Sequence, residues 1–147
     1  PKLIIVIGLP GSGKSYYLKK LQKDKEVNCF FDDYHGNAIN DSTEVIHSRH
    51  FGTLISRLAN DEDCAVSDIK FCEENRRNAI ETEIKRLFPL VEIERRFFCN
   101  NPKQCKKNIE NYIQEHNKQR LEEIEKLTCD YLIPTGAIII PVYKATN

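Results

Sequence analysis

The sequence predicts an α/β fold of three layers, in which a mostly parallel sheet of five strands carries helices on both faces. Short apolar runs of strand length alternate along the chain with longer stretches whose apolar residues recur at helical spacing. The first apolar run, residues 3–7, leads through a glycine-rich turn directly into a stretch that is compatible with a helix. Strands joined by helices in this order form parallel sheets, which are buried on both faces and therefore need two helical layers.

The five predicted strands are recognised by their apolar or alternating residues. Most are short apolar runs, and the fourth alternates in part, with Val91, Ile93 and Phe97 set between charged residues. The last one ends at Pro141, which cannot donate a backbone hydrogen bond to a neighbouring strand. The predicted strands span residues 2–7, 27–31, 64–67, 90–99 and 137–140.

Four helical stretches are predicted between these strands. The second begins at residues 41–44, Asp-Ser-Thr-Glu, which supply capping residues, and the third stops at Pro89 because proline cannot continue a helix. The fourth starts at Pro102, which suits a first helical turn, and its apolar residues continue at helical spacing to Leu127. The first three predicted helices span residues 14–23, 41–58 and 73–88.

Length and composition favour one ordinary domain that spans residues 1–147. The 22 lysines and arginines balance the 22 aspartates and glutamates, so the formal net charge is zero. That balance disfavours a protein whose whole surface binds nucleic acid, although a local basic groove is compatible with it.

The six cysteines show neither a Cys-x-x-Cys pair nor zinc-finger spacing, and they favour free thiols in a reducing compartment. No apolar run has the length of a signal-peptide core or of a membrane span. We therefore expect a cytoplasmic, intracellular protein without a membrane partner.

Residues 8–15, Gly-Leu-Pro-Gly-Ser-Gly-Lys-Ser, match the phosphate-binding loop pattern G-x-x-x-x-G-K-[ST] at every fixed position. The glycines allow backbone N–H groups to surround phosphate oxygens, and the following helix offers its positive N-terminus to the anion. Lys14 is expected to reach the β- and γ-phosphates, and the Ser15 hydroxyl to ligate Mg²⁺. The pattern predicts binding of a nucleoside triphosphate, with a preference for ATP. The candidate nucleotide-binding residues of the loop are Pro10, Gly11, Ser12, Gly13, Lys14 and Ser15.

Two acidic residues, Asp32 and Asp33, come directly after the second predicted strand. The carboxyl ends of parallel strands line a common crevice, so these carboxylates are expected to face the phosphate loop. One of them can accept the proton of an attacking hydroxyl while the other helps to hold metal-bound water or the acceptor. The alternative is that the pair only caps the loop after the strand.

The phosphate loop and the Asp-Asp-Tyr segment at residues 32–34 resemble the kinase domain of polynucleotide 5′-hydroxyl kinases and their P-loop kinase-like relatives. Residues 67–68 and 74–77, Ser-Asp and Glu-Asn-Arg-Arg, are similar to a segment that follows strand three in that family. Residues 141–143, Pro-Val-Tyr, stand where such domains often carry the same three residues. The resemblance spans most of the chain and implies a P-loop kinase fold that uses ATP and Mg²⁺.

The resemblance also implies roles for single residues. Asp32 would be the general base, Lys14 would stabilise the transferring phosphoryl group, and Ser15 would hold Mg²⁺. Asp68, at the end of the third strand, would assist the metal or position the acceptor. The remaining candidates are Asp33, His35 and Arg76 for acceptor binding and Lys107 for nucleotide binding. For Arg76 the alternative is an ion pair within its own helix.

The sequence departs from the family at two places. His35 follows the Asp-Asp-Tyr segment where an arginine is usual, and residues 106–108, Lys-Lys-Asn, stand where the family's lid presents arginines. Lysine supplies charge but lacks the planar fork with which arginine holds a phosphate. Lys118 and Arg120 can substitute if the long helix breaks into a lid; alternatively, these cations form only the solvated face of that helix.

These patterns favour an enzyme that transfers the γ-phosphate of ATP to a hydroxyl, with the 5′-hydroxyl of a polynucleotide as the first expectation. A small-molecule or nucleotide kinase is one alternative, and a non-catalytic nucleotide-binding regulatory module is another. A GTPase switch is disfavoured because the chain contains no Asn-Lys-x-Asp motif for guanine.

Overall fold

A computed structural model describes residues 1–36, 48–111 and 117–144 of the chain. The strands are β1 (Lys2–Ile7), β2 (Cys29–Phe31), β3 (Cys64–Ser67), β4 (Glu92–Phe98) and β5 (Ile139–Ile140). The helices are α1 (Lys14–Lys23), α2 (Phe51–Ala59), α3 (Glu74–Leu87), α4 (Pro102–Glu110) and α5 (Asn117–Thr128). A short 3-10 helix, Ile69–Cys72, lies between β3 and α3.

The five strands form one parallel sheet in the order β2-β3-β1-β4-β5, which confirms the predicted α/β class with helices on both faces. Strand β1 lies at the centre, and its apolar side chains are fully buried. Because successive side chains of a strand point to opposite faces, Leu3, Ile5 and Ile7 join the larger core, together with residues of α2, α3, α4 and α5. Ile4 and Val6 join the smaller core with residues of α1.

The second helix is shorter than the sequence predicts. The predicted capping residues 41–44 lie outside the described residues, and α2 begins only at Phe51. Residues 48–50 form a turn because the N–H groups of Arg49 and His50 donate to the carbonyls of His35 and Tyr34, at 3.2 and 3.3 Å, instead of to a preceding helical turn. This turn therefore packs on the loop that follows β2.

The long helix predicted from Pro102 to Leu127 is wrong, because α4 ends at Glu110 and α5 begins at Asn117. The side-chain amide of Asn117 donates to the carbonyl of Ile109 at 3.1 Å and so satisfies a carbonyl at the end of α4. The second, fourth and fifth strands are also shorter than predicted, whereas β1, α1 and β3 have the predicted bounds.

The topology brings three loops to the carboxyl edge of the sheet. The phosphate loop follows β1, Asp32 follows β2, and Asp68 follows β3. Since β3 lies between β1 and β2, these three places are neighbours along one edge. No helix within the described ranges is long and apolar enough to cross a membrane.

Candidate active site

The phosphate loop has a conformation that only glycine tolerates at two positions. Gly11 and Gly13 have φ angles of 81° and 105°, in the left-handed region that L side chains rarely adopt. A Cβ at Gly11 would lie 2.5 Å from the carbonyl oxygen of Cys105, and a Cβ at Gly13 would lie 2.8 Å from the Cβ of Tyr143. The loop is therefore packed from outside by α4 and by the segment after β5.

Lys14 starts α1 and bends back over the loop. Its Nζ donates to the carbonyl oxygens of Gly8 and Leu9, both at 2.8 Å. Burial lowers the pKa of Lys14, while the nearby Asp32 and Asp68 carboxylates act in the opposite direction. The ammonium group is thus held beside the loop by two neutral carbonyls, from which it can turn toward a bound phosphate.

Asp32, which directly follows β2, is bonded to the start of α1 and to the end of β3. One of its carboxylate oxygens accepts a hydrogen bond from the Ser15 hydroxyl. The other accepts from the Ser67 hydroxyl and from the backbone N–H of Asp33, each at 3.0 Å. A hydroxyl and a carboxylate, both oxygen ligands, therefore meet at the start of α1.

Asp33 faces the same cleft in a strained backbone conformation, with φ 49°. Burial raises the pKa of Asp33, and the carboxylates of Asp68 and Asp32 raise it further, against the opposing charges of Arg49 and Lys70. A carboxylate with a raised pKa is a stronger base than an ordinary one, so Asp33 is a second candidate for accepting a proton.

Asp68 is buried at the cleft, and its oxygens are already engaged. One oxygen accepts from the backbone N–H of His35 at 2.8 Å and lies 3.1 Å from the Nδ1 of the same residue. The other accepts from the backbone N–H of Lys70 at 2.8 Å. Burial alone would raise the pKa of Asp68, but these interactions with His35 and Lys70 outweigh it and lower the pKa. Asp68 thereby holds the loops after β2 and β3 together.

A cleft of about 510 Å³ opens above these loops, a size typical of small-molecule sites. Its floor is the phosphate loop, one wall carries the three aspartates, and the other wall is formed by α4, α5 and the segment after β5. The lining residues are Pro10, Gly11, Gly13, Lys14, Ser15, Tyr16, Asp32, Asp33, Asp68, Ile69, Asn108, Ile109, Arg120, Glu123 and Tyr143.

Four of the residues predicted for the site do not line this cleft. Ser12 belongs to the loop but is fully buried, and His35 is buried against Asp68. Arg76 is buried in α3, with its Nε 3.6 Å from Glu73 in an i,i+3 ion pair. Lys107 is exposed on α4, outside the lining. The binding roles predicted for these residues stay predictions.

The structure adds several residues that the sequence motifs did not reveal. The rings of Tyr16 and Tyr143 lie 5.8 Å apart at the cleft, and the two residues are 67% and 41% exposed. Glu123 lies in α5 beside Arg120, and burial raises the pKa of Glu123. Asn108 is buried in α4 and bonded to the phosphate loop. Two of them lie in segments that the resemblance had already singled out, Tyr143 in Pro-Val-Tyr and Asn108 in Lys-Lys-Asn.

The donor set suits Mg²⁺ bound together with a nucleotide. No group of three or more histidine, cysteine or acidic side chains within the described ranges is arranged to hold a metal ion by itself. Mg²⁺ is usually held by one or two protein oxygens together with substrate phosphates and water. The adjacent oxygens of Ser15 and Asp32 meet that requirement beside the loop.

No protein-family model matches the chain. In sequence it is 28% identical over 141 residues to the uncharacterised protein R277 of Acanthamoeba polyphaga mimivirus, covering 91% of this chain and 88% of that one. A gluconokinase from Sinorhizobium meliloti 1021 superposes with a TM-score of 0.64 at 15% identity, covering 99% of this chain and 85% of the gluconokinase. The chain has a P-loop kinase fold. An uncharacterised protein from Eubacterium ventriosum ATCC 27560 also superposes, with a TM-score of 0.51 at 14% identity over 95% of this chain and 88% of that one.

Proposed function

We propose that the protein is a phosphotransferase that moves the γ-phosphate of ATP to a hydroxyl group. The observation that carries the proposal is the contact between the Asp32 carboxylate and the Ser15 hydroxyl, beside Lys14 and in the same cleft. A nucleotide-binding loop also uses one carboxylate beside this serine to hold Mg²⁺. A kinase needs in addition a base within reach of the transferred phosphate, and three carboxylates, those of Asp32, Asp33 and Asp68, line the same cleft. The P-loop kinase fold is consistent with this activity.

In the proposed reaction the acceptor hydroxyl gives its proton to the Asp32 carboxylate. Its oxygen forms a bond to the γ-phosphorus while the bond from that phosphorus to the β,γ-bridging oxygen breaks, so that ADP leaves with that oxygen. Lys14 turns from the carbonyls of Gly8 and Leu9 to the β- and γ-phosphates and offsets the charge that builds up there. When bound, Mg²⁺ would be held by the Ser15 hydroxyl beside the Asp32 carboxylate and would neutralise charge at the phosphates.

The tyrosine pair supports a nucleotide as the phosphate donor. Tyr16 directly follows the phosphate loop, and Tyr143 contacts that loop, so both rings lie at the side where a bound nucleotide would continue. An aromatic ring at this place can stack on any nucleobase because every base has a π face. We assign the pair to contact with the base of ATP.

A small-molecule hydroxyl compound is the acceptor that the arrangement of charges supports best. The two lysines that stand in the lid segment do not line the cleft: Lys106 pairs with Glu125, and Lys107 is exposed on α4. Acidic residues outnumber basic ones in the lining of the cleft, which disfavours the phosphates of a polynucleotide; the acids are Asp32, Asp33, Asp68 and Glu123, and the bases are Lys14 and Arg120. The 5′-hydroxyl of a polynucleotide is the second candidate, supported by the resemblance of residues 8–15 and 32–34.

The proposal is tested by incubating the protein with labelled ATP and Mg²⁺ and a panel of acceptors. The panel contains 5′-hydroxyl RNA, 5′-hydroxyl DNA, nucleosides and small alcohols, and the Asp32→Asn variant serves as the blank. We expect label transfer to a small alcohol or a nucleoside by the wild type only. Preferential transfer to the oligonucleotides would select the second candidate. ATP binding without transfer to any acceptor would show that the protein acts as a non-catalytic nucleotide-binding module.

A further inference from the structure

Asn108 of α4 uses its whole side chain to join three segments. Its Nδ2 donates to the carbonyl of Gly11 in the phosphate loop at 2.9 Å and to the carbonyl of Tyr143 in the segment after β5. Its Oδ1 accepts from the Nε2 of Gln104 one turn earlier in α4, at 2.9 Å. The residue is only 4% exposed, so these bonds are shielded from water.

The segment after β5 makes a second bond to the same loop. The backbone N–H of Tyr143 donates to the carbonyl of Ser12 at 3.0 Å. Together, the Asn108 side chain and the Tyr143 backbone hold the carbonyls of Gly11 and Ser12, two successive residues, toward the outside of the loop. We call these two groups the loop clamp.

The loop clamp determines which way two peptide N–H groups of the phosphate loop point. In a planar trans peptide the C=O and the following N–H point in opposite directions, and no described peptide bond is cis. With the carbonyls of Gly11 and Ser12 held outward, the N–H groups of Ser12 and Gly13 must point inward. The Ser12 N–H accordingly donates to Leu9 across the loop, at 3.2 Å. Anion binding by such a loop depends on inward-pointing N–H groups.

A loop rich in glycine loses much conformational freedom when it becomes ordered. Gly11 and Gly13 have no side chain to restrict their backbone angles, and both have positive φ in the loop. Contacts that hold the loop in its binding conformation before the ligand arrives reduce the free energy that binding must supply for ordering. The loop clamp makes such contacts through the carbonyls of Gly11 and Ser12, on the side of the loop away from its phosphate-facing N–H groups.

We propose that Asn108 is a positioning residue for nucleotide binding, which keeps the phosphate loop in the conformation that receives phosphate. This inference rests on the nucleotide-binding part of the proposed function. It assigns Asn108 no contact with the transferred phosphate. Its loss is therefore expected to weaken ATP binding while leaving the chemistry of the bound complex largely intact.

The experiment compares Asn108→Asp with a matched control, Asn100→Asp. The Nδ2 of Asn100 also donates to two backbone carbonyls, those of Thr128 and Tyr131, both at 3.2 Å, but away from the phosphate loop. In each variant a carboxylate replaces an amide and faces two carbonyls that it cannot bind. The readouts are Tm without ligand and the Kd for Mg²⁺–ATP by calorimetry at a temperature at which all proteins are folded.

We expect Asn108→Asp to weaken ATP binding about tenfold or more, because two hydrogen bonds are lost and carbonyls are left facing a negative charge. Asn100→Asp should lower Tm by a similar amount and change the Kd less than twofold. Equal affinities of Asn108→Asp and the wild type would overturn the inference, and so would equal losses in both variants. If Asn108→Asp does not fold, Asn108→Ala is measured in the same way. Failure of the wild type to bind ATP would instead remove the proposed function itself.

Discussion

The two walls of the cleft are determined in different ways. The phosphate loop and the start of α1 follow from eight consecutive residues, and their conformation depends on glycines at fixed places. The opposite wall takes Asn108, Arg120, Glu123 and Tyr143 from α4, α5 and the segment after β5, which only packing brings together. Local sequence therefore specifies the side that binds the phosphates, and tertiary structure specifies the opposite wall, from which Asn108 and Tyr143 contact the phosphate loop. Substitutions at the loop should affect ATP binding, whereas substitutions on the opposite wall should differ from one another in which substrate they affect.

The largest effect is expected at Asp32, where the two sides meet. Asp32→Asn keeps the size of the side chain but cannot take a proton, so transfer should slow by roughly 100- to 10,000-fold. ATP affinity and Tm should stay close to those of the wild type if the amide retains the bonds to Ser15 and Ser67. Single-turnover transfer from labelled ATP measures the effect.

Asp33→Asn is the matched control for that measurement, and it should slow transfer less. Asp33 lies beside Asp32 and lines the same cleft, but Asp32 is the residue bonded to the phosphate-loop serine. A larger loss for Asp33→Asn would identify Asp33 as the base. Burial and the neighbouring carboxylates already raise the pKa of Asp33. Losses below tenfold in both variants would show that neither carboxylate is the base.

How far the sequence predicts the fold depends on the range of the contacts involved. The bounds of β1, α1 and β3 follow from continuous apolar runs and from the loop motif, and the structure agrees with them. The break between α4 and α5 was considered only as an alternative, because the apolar spacing continues across it. At the end of α4 the side chain of Asn117 donates a hydrogen bond to the carbonyl of Ile109, and the spacing of apolar residues cannot predict such a bond.

The site shows the same division. Lys14 and Ser15 were predicted from the loop motif, and Asp32 and Asp33 because they follow a strand at a shared edge of the sheet; all four line the cleft. Asn108 was named only as part of the Lys-Lys-Asn segment, since the sequence does not show its partners, which are 97 and 35 residues away. Sequence reasoning thus recovers groups that strand ends present, and it does not predict the contacts that opposing helices make.

The second prediction concerns a substitution in the phosphate-binding part of the cleft alone. Mg²⁺–ATP at about a hundredfold over its Kd should stabilise the wild type by about 2.7 kcal/mol, which corresponds to a Tm increase of roughly 5–10 °C. Lys14→Ala should remove most of that increase because it deletes the charge that faces the β- and γ-phosphates. Lys19→Ala, which changes an exposed lysine of the same helix, should keep it. An unchanged shift in Lys14→Ala would contradict the role of the loop lysine.

The third prediction concerns α5 on the opposite wall. Arg120 and Lys118 are both exposed on this helix, but of the two only Arg120 lines the cleft. If Arg120 contacts a phosphate group during transfer, Arg120→Gln should lower kcat/KM about tenfold, the order of one hydrogen bond to a charged group. Lys118→Gln should leave it within twofold. Equal effects of the two substitutions would mean that only the overall charge of α5 matters.

The smallest effect is expected for Lys107→Ala, and it distinguishes the two acceptor candidates. Lys107 is exposed on α4 and lies outside the cleft, so a small acceptor would not meet it. With such an acceptor, the turnover of wild type and variant should be equal and should depend little on salt. A single-stranded polynucleotide held by this lysine would instead lose affinity with log salt, and Lys107→Ala would reduce that slope by about 0.7, the value for one phosphate contact. Measuring turnover of each acceptor between low and moderate salt gives both slopes. A salt slope that Lys107→Ala reduces would place nucleic acid across α4 and would contradict the small-molecule proposal.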